Sequence, residues 1–431
     1  MSEFFLELFS EEIPANLQSS ARKELKDIFI KFCELNQINI RGKIKSFSTP
    51  NRLVIFIDKI SEEVEKKSIE IRGPNVNAPD IAIQGFLKSN NINQNQIYKK
   101  TNEKGEFFFF NKPSQKISVF KLFRDNIESL VTKIPWKKSM KWGDYSLYWG
   151  RPLKSILAVF DKKVLNFKVD HLQSSNKTFL DKDLEEKIKI FNDFKTYEKY
   201  FKKNDIIIDQ ESRKNLIRKE ITKAEKKYKF HVNINENLLD EVTNLVEKPK
   251  VLVGQFDKKF LNIPKEILIT TMQTHQKYFP TLDNKNNIIN SFIVVADISD
   301  SKGLVKVGNE RVIDARLSDA EFFWNKNKSQ NLVKQISKLK NINYFKGLGS
   351  YFDKIQRMRK LSAIISDEFL ISKEKIEIAS SICKVDLMSD LVGEFPELQG
   401  IMGGYFAEAQ GFDKEISLAV SEHYLPIGMD S

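Results

Sequence analysis

Four carboxylates between residues 384 and 411 could bind a metal ion. They are Asp386, Asp390, Glu394 and Glu397. A site of this kind would need histidine partners. The histidines are His171, His231, His275 and His423. None of these is followed by Asp, so the sequence contains no His-Asp dyad. We therefore predict no metal site and no catalytic residue in this segment, and we interpret the carboxylates as the polar side of a packed helical region.

Small residues of the same segment, KVDLMSDLVGEFPELQGIMGGYFAEAQG, predict close helix packing. Pro396 suits the first turn of a helix, where its missing N–H costs nothing. Gly400, Gly403, Gly404 and Ala407 would then form a small-residue face on that helix. A second helix could approach this face closely, so the segment is interpreted as scaffold.

A second polar group, His275-Gln276-Lys277, ends a predicted helix that Pro264 opens. One interpretation is that these three side chains contact RNA or a partner subunit. The alternative is that His275 caps or hydrogen-bonds the corner between the helix and the following strand. The pattern of the sequence leaves both open.

The segment 308–327, GNERVIDARLSDAEFFWNKN, combines a helical core stripe with charged residues. Glu310 and Asp314 lie four residues apart and could pair with Arg311 or Arg316, as charges on a solvated helix face do. Arg316 is also a candidate for a phosphate or interface contact, because a planar guanidinium makes bidentate contacts that Lys cannot replace.

Residues 136–151, WKKSMKWGDYSLYWGR, contain three of the four Trp, interleaved with basic residues that include Lys141 and Arg151. Aromatic rings and cations in this arrangement can stack on bases and hold phosphates. Equally, Trp142 and its neighbours could fill a domain junction. Both interpretations remain open.

The composition describes a globular protein with a positive charge. The chain has 431 residues, 41% of them hydrophobic, and a formal net charge of +12. A polyanionic partner would explain that charge, but so would the codon bias of an AT-rich genome, which enriches Lys together with Asn and Ile whatever the function. No apolar run approaches the roughly 20 residues that cross a bilayer. Cys33 and Cys383 are far apart and lack zinc or disulfide spacing, so we expect a cytoplasmic protein.

Periodicity predicts mixed α and β structure in the first three quarters of the chain and helices after about Gly308. FFLELF and RLVIFIDKI read as strands on either side of a helix that begins near Asn16. IYKKTNEKGEFFFFNK reads as a hairpin, and residues 115–133 read as an amphipathic helix. The Lys-rich stretch 181–230 reads as exposed helices and a linker.

Several of these motifs together resemble the β subunit of the heterotetrameric bacterial glycyl-tRNA synthetase. KVDLMSDLVGEFPELQGIMG matches a helical segment of that family almost residue for residue, and PKEILITTMQTHQKYFP, GNERVIDARLSDAEFFWNKN, EEIP, TPNRL and RGP occur in the family's order. The resemblance covers nearly the whole chain. HLQSSNKTFLD, in contrast, lacks the Gly-His-Arg run that the family has there.

The resemblance implies a multidomain α+β chain. Residues 1–135 would be a body/tail-like region similar to part of archaeal CCA-adding enzymes. Residues 136–335 would be a B3/B4-like domain with a Lys-rich insertion near 181–230, and residues 336–431 a helical HD-like domain without its metal-binding histidines. The family continues beyond EHYLPIGMDS to an anticodon-binding domain, so we expect a C-terminally truncated member.

The resemblance also implies a function. The family is an α₂β₂ ligase that joins glycine to tRNA(Gly), in which the α subunit holds glycine, ATP and Mg²⁺ and the β subunit binds tRNA without activity of its own. This chain is accordingly expected to bind no cofactor, to associate with the α subunit and tRNA(Gly), and to need neither membrane nor DNA. The candidates for tRNA or subunit contact are Lys141, Trp142, Arg151, His275, Gln276, Lys277, Arg311 and Arg316.

Two alternative functions come from other classes of protein. An HD-type phosphohydrolase would require a His/Asp metal cluster. A stand-alone tRNA-binding protein would bind tRNA without an α partner and with a steep salt dependence.

Overall fold

The chain folds into two compact units. The computed structural model describes residues 2–66, 68–102, 105–180 and 188–428. We call the two units unit 1 (Met1–Arg213) and unit 2 (Lys214–Ser431). The division differs from the boundaries predicted at 135/136 and 335/336, and the three domain types remain predictions.

Unit 1 contains strands and helices that mostly follow the predicted order. Its strands are β1 (Ser2–Ser10), β2 (Ile44–Ser48), β3 (Arg52–Ile60), β4 (Glu63–Lys66), β5 (Ile69–Asn75), β6 (Ile97–Asn102), β7 (Gly105–Lys112), β8 (Gln115–Ser118), β9 (Met140–Lys141), β10 (Tyr148–Trp149), β11 (Leu153–Phe160), β12 (Lys163–Val164), β13 (Lys168–Val169), β14 (Leu172–Gln173), β15 (Lys177–Phe179) and β16 (Ile188–Ile190). Its helices are α1 (Ala15–Leu35), α2 (Asp80–Asn90), α3 (Val119–Thr132) and α4 (Phe194–Lys203).

The central sheet of unit 1 has the strand order β12-β11-β1-β3-β2, and all its pairings are antiparallel. Alternate residues of β1 point to opposite faces. Phe4 and Leu8 join a core with α1 and α3 on one face, and Phe5 joins a second core on the other. The predicted strand FFLELF and the helix near Asn16 are confirmed. The helix predicted over residues 115–133 is α3 (Val119–Thr132), and the first four residues of the predicted range belong to strand β8 instead. Strand β11 pairs with β1, so residues 153–160 belong to the sheet of unit 1.

The second face of this sheet is covered by part of the Lys-rich stretch. Phe194, Tyr197 and Phe201 of α4 are buried in the core there, so the prediction that residues 181–230 form only exposed helices and a linker is wrong. The aromatic residues of α4 recur at three- and four-residue spacing and give it an apolar side despite its lysines. Residues 181–187 lie outside the described part of the chain.

A buried polar network also lies on this second face of the central sheet. Arg52 of β3 and Glu7 of β1 are both fully buried, with Nε 3.3 Å from Oε2. The hydroxyls of Thr178 and Tyr197 donate to the same carboxylate, and Arg52 Nη2 donates to the carbonyl of Phe179 at 2.6 Å. A charge buried in this way is tolerated only with partners on all sides, so the network fixes how α4 and β15 pack on the sheet.

Unit 2 begins within a helix that starts at the end of unit 1. Its helices are α5 (Gln210–Tyr228), α6 (Glu236–Thr243), α7 (Lys265–Thr270), α8 (Leu304–Lys328), α9 (Leu332–Gln335), α10 (Tyr351–Phe369), α11 (Lys373–Ile382), α12 (Asp390–Glu394), α13 (Ile401–Ala409) and α14 (Lys414–Glu422). Its strands are β17 (Lys250–Gln255), β18 (Phe279–Leu282), β19 (Ile288–Ala296), β20 (Asn343–Phe345) and β21 (Gly349–Ser350).

The sheet of unit 2 has the order β17-β19-β18 and packs with α7 and α8 in a core that continues into the C-terminal helices. After α8 the chain is helical except for the short pair β20 and β21. The predicted mixed α+β class with a helical C-terminal region is therefore confirmed. Across the described ranges, no helix combines the length and the apolar character that a membrane crossing needs.

Candidate functional surfaces

The three motifs of unit 2 meet at one place, which we call the motif junction: the contacts among residues 264–280, 308–327 and 384–411. His275 closes a π-helical turn (Thr271–His275) that follows α7. Its ring stacks on Phe395 with centroids 5.1 Å apart and planes 6° apart. Its Nε2 lies 3.8 Å from Glu397 Oε2. The His275 side chain is 23% exposed, so most of its surface is used inside the junction.

The residues that follow His275 stabilise the corner between the π-helical turn and strand β18. The backbone N–H of Gln276 donates to the carbonyl of Thr271 at 3.2 Å, which closes the π-helical turn. Lys277 adopts a left-handed backbone with φ of 60°, and its Nζ lies 3.0 Å from Glu241 Oε1. The corner interpretation thus has a physical basis, while contact with RNA or a subunit stays a prediction.

The charged residues of α8 do not pair as the sequence suggested. Glu310 accepts the backbone N–H of Gln255 at 2.9 Å, and Asp314 accepts that of Asp257 at 3.2 Å. These carboxylates tie α8 to the end of β17, so the expectation that they pair with Arg311 or Arg316 is wrong. The reason is that unpaired N–H groups at a strand end compete well for a carboxylate.

Arg316 faces the carboxylate-rich motif instead. Its Nη1 lies 3.5 Å from Glu394 Oε1, and both side chains are about half exposed, at 48% and 45%. Exposed pairs of this kind contribute about 0–1 kcal/mol to stability. Arg311 is exposed on the same helix. Both guanidinium groups can therefore be reached by a polyanion without opening the fold.

Aromatic and carboxylate contacts complete the junction. Tyr405 of α13 donates its hydroxyl to Glu266 Oε2 of α7 at 2.6 Å. Trp324 of α8 stacks on Phe406 of α13, with ring centroids 5.7 Å apart. The side chain of Asn327 accepts the backbone N–H of Leu391 at 3.0 Å. The three motifs therefore hold one another in place.

The predicted close helix packing is confirmed on α13 at Gly403 and Gly404. The prediction that Pro396 opens this helix is wrong, because Pro396 lies in a separate 3₁₀ turn (Pro396–Leu398) and Gly400, with φ of 86°, precedes the helix, which begins at Ile401. A Cβ at Gly404 would lie 2.6 Å from Ser421 Cβ and 2.8 Å from the carbonyl oxygen of Ser417. Helices α13 and α14 are close enough only because no side chain stands between them at this position.

A buried polar cluster lies beneath the same helices. Lys384 is 3% exposed; its Nζ lies 2.7 Å from His423 Nε2 and 3.4 Å from the centroid of the Tyr424 ring. His423 Nδ1 faces the carbonyl of Val420. These contacts fit a neutral imidazole that donates from Nδ1 and accepts at Nε2 from the ammonium of Lys384. Asp386 is 1% exposed and accepts the backbone N–H of Gly400.

Burial dominates the electrostatics of this cluster. It lowers the pKa of His423 to about 4 and the pKa of Lys384 to about 8. It raises the pKa of Asp386 to about 6, against the lowering effect of the backbone N–H of Gly400. Desolvation penalises the charged form of each group. Sequence reasoning missed the cluster because Lys384 and His423 are 39 residues apart in the chain.

In unit 1 the aromatic and basic segment 136–151 has an inner and an outer side. Trp149 is 1% exposed and packs edge-on against Trp136 at 5.0 Å, and Trp142 Nε1 donates to the carbonyl of Trp149 at 3.2 Å. Lys141 lies on the outside, with Nζ 5.3 Å from the Tyr148 ring. Trp142 therefore supports the packing, and Lys141 is available to a partner.

Arg151 follows this segment and is half-buried. Its Nη1 donates to the adjacent carbonyl of Gly150 at 3.1 Å. Lys141, Trp142 and Arg151 lie in unit 1, and the other five predicted contact residues lie in unit 2. In the described ranges, no group of three or more His, Cys, Asp or Glu is arranged to hold a metal ion.

Comparison with known proteins identifies the family of the chain. A family model described as glycyl-tRNA synthetase beta subunit matches residues 4–431. The chain belongs to the glycyl-tRNA synthetase β-subunit family.

Curated relatives extend the comparison. The glycine–tRNA ligase beta subunit of Rickettsia bellii is 36% identical over 431 residues, which is 100% of this chain and 64% of that protein. The corresponding proteins of Rickettsia felis and Rickettsia typhi are each 34% identical, with the same shares covered. The chain thus spans about 64% of the length of the relatives that it matches.

Proposed function

We propose that this chain acts as the tRNA-binding β subunit of a glycine–tRNA ligase. The observation that carries the proposal is the family match over residues 4–431. In this role the chain binds and positions tRNA(Gly), while an α subunit in an α₂β₂ tetramer holds glycine, ATP and Mg²⁺ and carries out the ligation. The chain itself binds no cofactor and works in the cytoplasm.

The charge of the molecule supports this role. A net charge of +12 favours association with a polyanion such as tRNA. Lys141, Arg311 and Arg316 are exposed, so these cations are accessible to phosphates or to acidic groups of a subunit. His275, Gln276 and Lys277 would act from the rim of the motif junction, and Trp142 would act by holding the segment that presents Lys141.

The domain assignments belong to the same proposal. Residues 1–135 would correspond to the body/tail-like region, residues 136–335 to the B3/B4-like domain, and residues 336–431 to the HD-like domain. Pairing of β11 with β1 means that the first two of these share a sheet. We therefore propose that the body/tail-like and B3/B4-like parts share one sheet and the hydrophobic core beside it.

A charging assay tests the function. Glycine attachment to tRNA(Gly) is measured with the cognate α subunit alone, with this chain alone and with both together. We expect charging only in the mixture. Absence of charging in the mixture, together with no co-elution of the two proteins and no tRNA binding by this chain, would overturn the proposal.

Variants test the contact residues. Arg316→Gln removes an exposed cation whose ion pair contributes at most about 1 kcal/mol, so we expect the fold to persist and tRNA or α-subunit binding to weaken. Lys116→Gln is a matched control, because Lys116 also forms an exposed pair with a glutamate, at 3.6 Å. Equal binding by the two variants would remove Arg316 from the contact surface.

A further inference from the structure

A small sheet of unit 1 carries an aromatic and cationic face that its sequence pattern alone did not reveal. The strand order is β5-β7-β6. Arg72 of β5 and Tyr98 of β6 both pair directly with Phe109 of β7, and Lys100 of β6 pairs with Phe107 of β7. Directly paired residues point to the same side of a sheet. These five residues therefore form one surface, which we call the aromatic face.

The other side of this sheet has its own packing. Phe110 of β7 pairs with Ile71 and Ile97 and is 7% exposed. The Phe86 ring of α2 packs on the sheet at Gly73, where a Cβ would come within 2.9 Å of it. The sheet thus has an apolar side that stabilises it.

Cations lie over the rings of the aromatic face. The guanidinium carbon of Arg72 is 3.7 Å from the centroid of the Phe107 ring, and Lys100 Nζ is 5.4 Å from that of Phe109. The Tyr98 ring stacks on Phe109 with centroids 6.3 Å apart and is 41% exposed. Arg72 and Lys100 are also exposed, whereas the Phe109 ring beneath them is 7% exposed, so a ligand can reach the Tyr98 ring and both positive charges.

One acidic residue orders this surface. Glu70 accepts the Tyr98 hydroxyl at 2.6 Å and the Lys100 ammonium at 2.7 Å. Hydrogen bonds from Lys100 and Tyr98 lower the pKa of Glu70, so it is a carboxylate that fixes the ring and the ammonium. Residues 69–112, from the start of β5 to the end of β7, contain six Lys and Arg against four Asp and Glu, so the region stays positive despite Glu70.

We infer that the aromatic face binds unpaired nucleotides of RNA. Aromatic rings stack with any base, and neighbouring cations hold the phosphates between stacked bases. Bases that are splayed out of a helix can reach a flat sheet, whereas paired bases cannot. In this arrangement a base stacks on Tyr98, and Arg72 and Lys100 lie beside the backbone. The inference rests on the proposed function and names a surface through which the chain would hold single-stranded parts of tRNA.

Binding of a fluorescein-labelled single-stranded RNA of about ten nucleotides, followed by fluorescence anisotropy, tests this inference. Tyr98→Leu should weaken binding by about fivefold to a hundredfold, because one stacked base is lost. Tyr98→Trp should bind as tightly as the unaltered chain, since a ring is restored. Lys100→Gln should reduce the slope of log affinity against log salt by about 0.7.

Tyr228→Leu is the matched control. Tyr228 is 51% exposed, stacks on Phe230, and has Lys227 Nζ 5.0 Å from its ring, but it lies outside the aromatic face. This variant should bind the single strand normally. A duplex RNA of the same length should respond to none of the Tyr98 variants.

The outcomes separate this inference from the proposed function. Binding of tRNA(Gly) with no effect of Tyr98→Leu on the single strand would overturn the inference and leave the proposed function standing. An equal loss of duplex binding by Tyr98→Leu would show that the effect is not specific to unpaired bases, and would also overturn it. Loss of association with the α subunit in place of RNA would identify a protein interface and overturn it as well. Failure of the unaltered chain to bind either RNA would refute both.

Discussion

Replacing Gly404 by Ala should destabilise the packing of α13 on α14, although Ala is the better helix former. The new Cβ would lie 2.6 Å from Ser421 Cβ and 2.8 Å from the carbonyl oxygen of Ser417. Neither atom can move away by rotation of a side chain, because one is backbone and the other is attached directly to it. The two helices would have to separate.

The magnitude follows from two opposing effects. Inserting a methyl group into a packed core costs about 1–3 kcal/mol, and the rigid neighbours of Gly404 favour the upper end. Replacing Gly by Ala within a helix contributes about 1 kcal/mol in the other direction. The net loss is therefore about 2 kcal/mol. Gly403→Ala should cost less than Gly404→Ala, because its nearest neighbours, Val420 Cγ1 at 3.0 Å and Asp386 Cγ at 3.3 Å, are side-chain atoms and lie farther away.

Gly393→Ala is the matched control. Gly393 lies in the same motif, in α12, and a Cβ there would meet nothing within 4 Å. Only the effect on the unfolded chain and on helix propensity remains, so we expect a stabilisation of about 0.4–1 kcal/mol. The two Gly→Ala variants should thus change stability in opposite directions.

Hydrogen exchange of backbone amides between residues 401 and 422, measured by mass spectrometry, follows this region without assuming that the two units unfold together. A loss of 2 kcal/mol corresponds to exchange that is about thirtyfold faster. Gly393→Ala should slow exchange slightly. Slower exchange in Gly404→Ala as well would refute the close approach of α13 and α14.

Three further variants test the buried polar groups. Arg52→Met should destabilise unit 1 by about 3–5 kcal/mol, because it leaves the buried carboxylate of Glu7 without its cation. Lys116→Met, which breaks the exposed pair with Glu63, should cost less than about 1 kcal/mol. Equal unfolding midpoints of the two variants in urea would contradict this. His423→Gln should reduce the loss of stability on acidification. The folded-state pKa of His423 is lowered to about 4 from an ordinary value of 6.5, so the stability that the neutral imidazole contributes is lost as pH falls through that window. The pKa of Asp386 is raised to about 6 from 3.8, so this group has the opposite effect on stability as pH falls from 6. Urea unfolding at pH 7 and pH 5 should show this difference, and identical pH dependence in both proteins would count against it. Tyr405→Phe should cost about 1.5–3 kcal/mol in unit 2 by removing a hydrogen bond to a carboxylate, and no change in amide exchange around α13 would argue that this bond is absent.

Local sequence determined much of the architecture. The short aromatic-rich run of β1 and the three- and four-residue spacing in α1 and α3 predict these elements because each depends on neighbours in the chain. The small-residue face of α13 was predictable for the same reason, since Gly403 and Gly404 lie one turn from Gly400 and Ala407. Long motifs in a fixed order were sufficient to indicate the family.

Only the tertiary structure decided which distant residues meet. The aromatic spacing of α4 can be read from the sequence despite its lysines, but the sheet face against which that side packs is shown only by the fold. Strand β11 joins β1, although about 150 residues separate them in the sequence. Lys384 and His423 form a buried pair across 39 residues, and Glu310 takes a backbone N–H in place of a nearby Arg. Periodicity reports the environment of a residue and not the identity of its partner, so such contacts follow from the fold as a whole.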